Sequence, residues 1–335
     1  MTLAQRVLVA LGDGAVHSGE RLAAEQAVSR SAIWKAVGAL QALGVDIEAV
    51  PHSGYHLPRP LIALDATQIR ARLAPEARAR LRQAEVVWSL ASTNDALLSR
   101  GERIGQAQLP ATGQFDILAA EYQSAGRGRR SRQWFAPPGG ALCLSLGWSF
   151  ATLPKDASAL SLAVGVCALR ALASLGKLPV QLKWPNDLLV ADHKLGGILI
   201  ELRAESAGPA YVVIGIGINC ALGGALRRRV QDSGTEPVDL AALGVMTCDR
   251  NQLAAALTNE IVRGVLEFER RGLASFAAEW RAADALAGRA VQVTLAGGDF
   301  VGQAVGVDTD GALCVHGPGG TQRFNSGEVT VRPQT

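Results

Sequence analysis

The chain has 335 residues, with 33 lysines and arginines against 30 aspartates and glutamates, for a formal net charge of +3. This length allows two or three domains, and a hydrophobic content of 48% excludes an intrinsically disordered protein. No A-x-A cleavage pattern follows the N-terminus, and Arg170 interrupts the longest apolar run, which predicts neither a secretory signal nor a membrane span. Five widely spaced cysteines in apolar contexts predict reduced thiols in a cytoplasmic protein.

The first sixty residues have the pattern of three short helices followed by a hairpin. Ser18 and Ser29 are predicted N-caps of the second and third helices. The segments VDIEAV and GYHL flank the turn-rich PHSG, which predicts a two-stranded wing. This order predicts a winged helix-turn-helix DNA-binding domain over residues 1–63. The expected DNA contacts lie on the third helix and the wing: Ser29, Arg30, Ser31, Trp34, Lys35 and His52.

Two features of this head leave alternatives open. Residues 1–63 hold five basic and five acidic side chains, a balance of 5 − 5 = 0, whereas DNA-binding domains usually carry a basic excess. Trp34 is a large apolar ring on a helix meant for a polar groove, so packing under the wing is equally compatible with the sequence. His52 and His56 are four residues apart, but the intervening Gly54 argues against a helix, and no metal site is predicted.

The middle of the chain mixes helices and strands and predicts an α/β domain over residues 64–287. TQIRARLAPEARARL is predicted as one helix, and ASALSLAVGVCALRALASLG and NQLAAALTNEIVRGVLEFERRG as two longer ones. The predicted strands are DILAAEYQ, ALCLSLGWSF, VQLKW, KLGGILIEL and YVVIGIGIN, several of them apolar on both faces as in a covered sheet. Residues 288–335 form five short segments separated by glycine turns, which predicts an SH3-like barrel.

The stretch GRGRRSRQWF, residues 126–135, concentrates four arginines on a loop. Gly126 and Gly128 allow the backbone to turn and present N–H groups to a ligand. Each arginine guanidinium can donate hydrogen bonds to two phosphate oxygens at once. Trp134 offers a flat face for a purine ring. The same spacing also fits a basic surface loop or an arginine-rich contact with nucleic acid. The loop alone therefore does not decide between these interpretations and a nucleotide site.

Four further motifs carry polar or glycine residues in or next to predicted strands and helices. KWPNDLLV places a lysine, an amide and a carboxylate at the tip of a strand, which suits a nucleotide phosphate and its magnesium but also an ordinary polar turn. The glycine pairs of KLGGILIEL and GIGIN predict a close approach to the backbone. GIGIN lacks the G-x-G-x-x-G spacing of dinucleotide folds. Ser92-Thr93-Asn94 also fits a plain helix N-cap.

Taken in order, STN, EYQSAGRGRRSRQW, KWPNDLLV, KLGGILIEL and GIGIN resemble the biotin protein ligases. The winged head makes the chain similar to the bifunctional bacterial kind, which also represses the biotin operon. The resemblance covers nearly the whole chain and implies an α/β (α+β) multidomain fold with a class II synthetase-like central domain. It implies biotin–[acetyl-CoA-carboxylase] ligase activity with biotin and ATP as substrates and Mg²⁺ accompanying ATP.

The resemblance also implies site residues. For biotin they are Ser92, Thr93, Asn94, Gln123, Arg127, Gly128, Arg129, Lys194, Gly196 and Gly197. For ATP and the adenylate they are Arg129, Arg132, Trp134, Lys183, Asn186, Asn219 and Arg332. Catalytic roles fall to Arg129, Lys183, Lys194 and Asp187, the last as the group that orients the acceptor lysine. Residues 222–237 resemble a second loop that covers the adenylate.

The implied partners are a biotin carboxyl carrier protein of acetyl-CoA carboxylase, the operator DNA of biotin synthesis genes, and a second copy of the chain in the adenylate-bound state. No membrane partner is expected. Two other interpretations remain. The chain could be a ligase whose head does not regulate transcription, or a biotin-sensing repressor without catalytic activity. Lipoate ligases share the fold, but GRGRRSR and KWPND resemble the biotin branch more closely.

Overall fold

The computed structural model describes residues 1–103, 109–204, 209–224, 236–295, 298–325 and 330–333. The predicted loop over residues 222–237 lies mostly outside this part of the chain. The elements form a small head, a central seven-stranded sheet with helices on both faces, and a five-stranded antiparallel sheet.

The head is a winged helix-turn-helix, as predicted. Its elements are α1 (Leu3–Ala10), α2 (Gly19–Glu25), α3 (Arg30–Ala42), β1 (Glu48–Val50) and β2 (Gly54–His56). Ser18 accepts a hydrogen bond from Arg21 N at 3.0 Å and Ser29 one from Ala32 N at 3.2 Å, so both predicted N-caps are present. The antiparallel strands β1 and β2 form the wing. Trp34 is 67% exposed, so the alternative that it packs under the wing is wrong.

The segment predicted as one helix over TQIRARLAPEARARL is two helices, α4 (Ala66–Ala71) and α5 (Pro75–Arg80). The break falls before Pro75, because proline lacks an N–H and disfavours helical geometry in the preceding residue. The chain then enters β3 (Leu81–Leu90), which the sequence reading missed. This strand is only partly buried along most of its length, so its apolar alternation is weak.

The central sheet has the strand order β3-β4-β5-β9-β8-β7-β6. Its remaining strands are β4 (Phe115–Gln123), β5 (Ala141–Phe150), β6 (Gln181–Lys183), β7 (Asp187–Val190), β8 (His193–Ala204) and β9 (Ala210–Asn219). Among the described strands of this sheet, β3 and β4 pair in parallel and the other neighbours pair antiparallel. All ten residues of β5 are buried, as expected for a strand covered on both faces.

Helices cover both faces of this sheet. They are α6 (Thr93–Arg103), α7 (Leu160–Leu172), α8 (Arg250–Arg271) and α9 (Ala277–Ala283). One face packs against α7 and α8 in the main core, and Leu97 of α6 packs with Leu118 and Val213 on the other. The first residues of α6 thereby lie against the middle of the sheet.

One helical stretch of the described chain, Ala157–Leu175, is long and apolar enough to cross a membrane, with 19 residues and a mean hydropathy of 1.8. The expectation that Arg170 interrupts this run too early for a membrane span was therefore wrong by length and composition. Within the fold, 61% of that stretch is buried, and α7 packs against α8 in the main core. Burial against its own sheet accounts for its apolar composition.

The C-terminal sheet consists of β10 (Ala290–Leu295), β11 (Gly298–Val307), β12 (Leu313–Gly317), β13 (Gly320–Phe324) and β14 (Thr330–Pro333). The strands are antiparallel in the order β13-β12-β11-β10-β14, which confirms the predicted five-stranded SH3-like unit. Trp184 Nε1 donates to Gly311 O at 2.9 Å, and this bond ties the C-terminal unit to the end of β6.

Candidate active site

A cavity of about 870 Å³ opens at the ends of the central strands, beside the start of α6. Its walls come from α6, the loop after β4, the turn between β6 and β7, and strands β8 and β9. The cavity brings together fifteen of the predicted site residues: Ser92, Thr93, Asn94, Gln123, Arg127, Gly128, Arg129, Arg132, Trp134, Lys183, Asn186, Asp187, Lys194, Gly197 and Asn219.

Two predicted residues are placed differently. Gly196 does not line the cavity; a Cβ there would lie 2.6 Å from Gly217 O, so close strand pairing accounts for this glycine. Arg332 lies on β14 opposite Gln292, and its side chain is outside the described part of the structure. At Gly197 an added Cβ would make an ordinary contact of 3.4 Å with the Lys194 side chain.

One end of the cavity is a buried polar wall built on the first turn of α6. Gln123 Oε1 accepts hydrogen bonds from Thr93 N at 2.8 Å and from Thr93 Oγ1 at 3.1 Å. Asn94 Nδ2 donates to Leu199 O at 3.1 Å and to Glu201 Oε2 at 2.9 Å. These bonds hold the side chains in fixed orientations, which suits recognition of a ligand with its own polar edge.

The sequence analysis missed Ser145, which lies behind this wall and holds two of its side chains. It lies fully buried on β5, and its Oγ is 2.7 Å from Thr93 Oγ1 and 2.6 Å from Asn94 Oδ1. The available signal was a serine in the middle of the apolar run ALCLSLGWSF, which also contains Ser149, since a buried polar group requires a hydrogen-bond partner.

The glycines of GIGIN let two site side chains reach β9. A Cβ on Gly215 would lie 2.2 Å from Asn94 Oδ1, and one on Gly217 would lie 2.7 Å from the Trp134 ring. The predicted close approach to this backbone is therefore made by the protein's own side chains.

The arginine-rich loop closes into a short hairpin. Gly128 N donates to Arg132 O at 2.7 Å, and Trp134 N donates to Gly126 O at 2.8 Å. Arg130 takes the left-handed conformation at its turn, with φ of 55°. A Cβ on Gly126 would lie 2.7 Å from Trp134 O, so the hairpin requires glycine there.

The hairpin sends its arginines toward different parts of the cavity. Arg127 forms an ion pair with Asp95 and another with Glu201, whose Oε1 lies 3.1 Å away, so it faces the polar wall. Arg129 lies partly buried in the other half, near Asp187. Burial lowers the pKa of the Arg129 guanidinium, and the neighbouring Arg130 lowers it further.

The second end of the cavity is cationic. Lys194 Nζ lies 2.7 Å from Asp187 Oδ1. Burial lowers the pKa of Lys183, against the attraction of Asp187, and Lys194 lowers it further. Three cations, Arg129, Lys183 and Lys194, thus lie around the carboxylate of Asp187, and the Asp192 carboxylate also attracts Lys183. Partial burial weakens solvent screening, so this excess of positive charge favours an anionic ligand.

Asn186 and Asn219, both predicted to contact the nucleotide, hold the backbone at this end of the cavity. Asn186 Nδ2 donates to Ile198 O at 2.6 Å, and Asn219 Nδ2 donates to Lys194 O at 3.1 Å and to Val238 O at 3.0 Å. Both amides therefore fix the backbone of β8 next to Lys194.

A buried ion pair lies behind the site, and the sequence analysis missed this pair as well. Arg250 Nη1 donates to Glu121 Oε2 at 2.6 Å and Arg250 Nη2 to Glu121 Oε1 at 3.1 Å. Arg250 Nη2 also donates to Ile62 O at 2.9 Å, and Leu64 N donates to Glu121 Oε1 at 2.6 Å. The pair attaches the chain that leaves the head to the central sheet.

Comparison with known families assigns all three parts of the chain. The HTH domain family matches residues 5–56, the Biotin/lipoate A/B protein ligase family residues 90–219, and the Biotin protein ligase C terminal domain family residues 287–332. A biotin protein ligase from Aquifex aeolicus, solved with biotin and ATP, shares the fold with a TM-score of 0.61 and 23% identity, over 76% of this chain and 100% of that one.

Two curated relatives match almost end to end. The bifunctional ligase/repressor BirA of Salmonella typhimurium is 38% identical over 324 residues, which cover 96% of this chain and 95% of the relative. BirA of Escherichia coli is 37% identical over 333 residues, which cover 99% and 98%. The chain belongs to the family of bifunctional biotin protein ligases and repressors.

Proposed function

We propose that this chain is an ATP-dependent biotin protein ligase. It activates biotin to biotinyl-5′-AMP with release of pyrophosphate and transfers biotin to a lysine of a biotin carboxyl carrier domain. With its winged head it represses biotin synthesis genes. The ligase assignment rests on one observation: a single cavity has a polar end and a cationic end. Biotinyl-AMP requires both, because it joins a neutral ring to an anionic phosphate.

The polar end suits the fused-ring head of biotin, whose urea group both donates and accepts hydrogen bonds. Thr93, Asn94 and Gln123 are buried or half-buried and already oriented by one another and by Ser145. Such preorganisation limits the conformational entropy lost on binding. Arg127 is held at this end by Asp95 and Glu201, near the expected path of the biotin tail.

The cationic end suits the reacting carboxylate and the phosphates of ATP. A carboxylate oxygen of biotin attacks the α-phosphorus, a new P–O bond forms, the bond to the bridging oxygen breaks, and pyrophosphate leaves. Both reactants are anions, so fixed positive charge from Arg129, Lys183 and Lys194 favours their approach and the charge that develops on the phosphoryl oxygens. Trp134 is proposed to stack on adenine, and Arg132 and Arg332 to contact the nucleotide.

Magnesium enters with ATP. Among the described residues no three His, Cys, Asp or Glu side chains come together to hold a metal ion. The phosphate oxygens would therefore supply most of its ligands, with Asp187 as the nearest protein carboxylate of the cationic cluster. The ion would neutralise charge on the leaving pyrophosphate.

In the second step the neutral amine of the acceptor lysine attacks the carbonyl carbon of biotinyl-AMP. A C–N bond forms, the C–O bond to the phosphate breaks, AMP leaves and the amine loses a proton. Asp187 already contacts a lysine ammonium, that of Lys194, at 2.7 Å. This contact supports its proposed role in orienting the incoming lysine.

Exchange of labelled pyrophosphate into ATP tests the activation step without any acceptor. The exchange should require biotin, because reversal of the reaction needs biotinyl-AMP in the site. Exchange that proceeds equally without biotin would contradict the assignment.

Two alanine substitutions on β9 should separate the ends of the cavity. Gly215→Ala pushes on Asn94 and should raise the KM for biotin by roughly 10- to 100-fold, the effect of disturbing one or two buried hydrogen bonds. Gly217→Ala pushes on Trp134 and should act mainly on the KM for ATP. Each variant serves as the control for the other, and steady-state kinetics with one substrate varied at a time measures both. Equal effects of both variants on both KM values would refute the division of the cavity.

The DNA-binding role rests on the head. The proposed contact residues Ser29, Arg30, Ser31, Trp34, Lys35 and His52 are all exposed. His52 lies in the turn of the wing with φ of 61°. Because the head has no net positive charge, one copy should bind DNA weakly, and two copies on paired half-sites should gain by effective concentration.

We therefore expect specific binding to require a dimer, and biotinyl-AMP to favour that dimer. Sedimentation and fluorescence anisotropy on the promoter of the chain's own biotin synthesis genes, with and without biotin plus ATP, measure both events. Tight promoter binding by a ligand-free monomer would contradict the expected dependence of DNA binding on biotinyl-AMP and dimerisation. A head that binds under no condition would instead support the second candidate, a ligase without repression, which the neutral charge of residues 1–63 favours.

These roles divide among residues 1–63 for DNA, 64–287 for catalysis and 288–335 for the C-terminal unit. The proposed acceptor is the biotin carboxyl carrier protein of acetyl-CoA carboxylase, and the proposed compartment is the cytoplasm. The five cysteines are free thiols in the structure.

A further inference from the structure

Two thiols outside the substrate cavity lie next to each other. Cys220 directly follows β9, and Cys248 precedes Asp249, the N-cap of α8. Their Sγ atoms are 3.9 Å apart. Cys220 is buried, whereas Cys248 is partly exposed and follows the exposed residues Met246 and Thr247. The proposed ligase chemistry uses neither thiol.

The two thiols differ in reactivity. The hydrogen-bonded contact between the two thiols lowers the pKa of Cys248, and the Arg250 guanidinium lowers it further, against the effect of burial. The same bond and complete burial raise the pKa of Cys220. Because a thiolate is the nucleophile and an oxidant must reach it, Cys248 is the thiol that reacts first.

We propose that Cys220 and Cys248 form a modification site at which a small-molecule disulfide, such as oxidised glutathione, closes an intramolecular disulfide. The Cys248 thiolate attacks one glutathione sulfur, an S–S bond forms and one glutathione thiolate leaves. The Cys220 thiol then loses its proton to water and attacks Cys248 Sγ, and the second glutathione thiolate leaves. The protein loses two protons and two electrons, and glutathione disulfide gains the two electrons.

The bridge would join the substrate cavity to the attachment of the head. Asn219, which holds the backbone of Lys194 and Val238, directly precedes Cys220. Arg250, which holds Ile62 and Glu121, lies two residues after Cys248. An S–S bond is about 2.05 Å long, so the sulfurs must approach by about 2 Å, and we expect this approach to shift the strand end beside the cationic cluster. This consequence rests on the proposed function: oxidation should raise the KM for ATP several-fold.

Mass spectrometry tests the modification on the full chain without reference to activity. After incubation with oxidised glutathione and alkylation of free thiols, we expect a linked peptide pair across Cys220 and Cys248 that dithiothreitol reverses. Cys248→Ser should abolish the reaction at both positions, Cys220→Ser should leave a stable glutathione adduct on Cys248, and Cys314→Ser should keep the bridge. Glutathione that remains on Cys248 of the unaltered chain, or no reaction at either thiol, would overturn the proposal.

Kinetics on the same samples tests the consequence. The KM for ATP in pyrophosphate exchange should rise on oxidation, return with dithiothreitol, and stay constant in oxidised Cys220→Ser. An unchanged KM in fully bridged protein would overturn the regulatory effect. Failure of the ligase assignment gives a different result, since reduced protein would then show no biotin-dependent exchange while the linked peptides still form.

Discussion

Replacement of Arg129 by alanine is expected to slow the formation of biotinyl-AMP by roughly 30- to 1,000-fold, equivalent to about 2–4 kcal/mol of lost transition-state stabilisation. Arg129 lies partly buried at the cationic end of the cavity, near Asp187 and Lys183. A charge-assisted hydrogen bond in such a place is stronger than one in water. Single-turnover formation of the adenylate from biotin and ATP measures the loss directly.

Two further variants make this result specific. Arg129→Lys keeps the charge but loses the planar fork, so its rate should fall between those of alanine and the unaltered chain. Arg130→Ala removes an exposed arginine from the same hairpin and should slow the reaction far less. If Arg129→Ala forms the adenylate at the normal rate and releases it no faster, Arg129 does not hold the reacting phosphate.

Replacement of Arg250 by methionine is expected to lower the free energy of unfolding by about 3–5 kcal/mol, because Glu121 would be left buried without its counter-charge. Both side chains are almost completely buried, with exposed fractions of 1% and 6%. The variant also loses the bond to Ile62 O that attaches the chain leaving the head. Urea unfolding, with the midpoint and slope fitted together, measures the change.

The same helix provides a matched control. Arg263 pairs with Glu260 at the surface of α8, so Arg263→Ala should change the free energy of unfolding by less than about 1 kcal/mol. The double variant Arg250→Met/Glu121→Leu removes both buried charges and should recover part of the stability lost by the single one. A loss at Arg250 no larger than that at Arg263 would show that the buried pair does not stabilise the fold.

Local signals in the sequence were sufficient for most of the regular elements, but not for the strands β3 and β7. Serine N-caps marked the helices of the head, and strands buried on both faces, such as β5, stood out as apolar runs. The partly buried edge strand β3 has no such run, and it followed a segment with helical composition, so it was missed. Pro75 was a visible stop signal, and the single helix predicted across it should have been divided there.

The candidate site was predictable where residues cluster in sequence and not where they meet only in space. GRGRRSRQW and KWPND are contiguous, and the fold brings both to the same strand ends. Ser145 reaches Thr93 only because β5 lies under α6, and Arg250 meets Glu121 across 129 positions of chain. The glycines of GIGIN indicated a close approach, but sequence alone could not tell a ligand from Asn94 and Trp134.

Transfer of labelled biotin to a biotin carboxyl carrier domain tests the central claim most directly. The protein, ATP, magnesium and labelled biotin are incubated with the carrier, and the carrier is isolated under denaturing conditions. The expected result is covalent label on one carrier lysine, dependent on ATP and absent from a carrier in which that lysine is replaced by arginine. A carrier that remains unlabelled, while the protein is folded and binds biotin, would contradict the assignment of this chain as a biotin protein ligase.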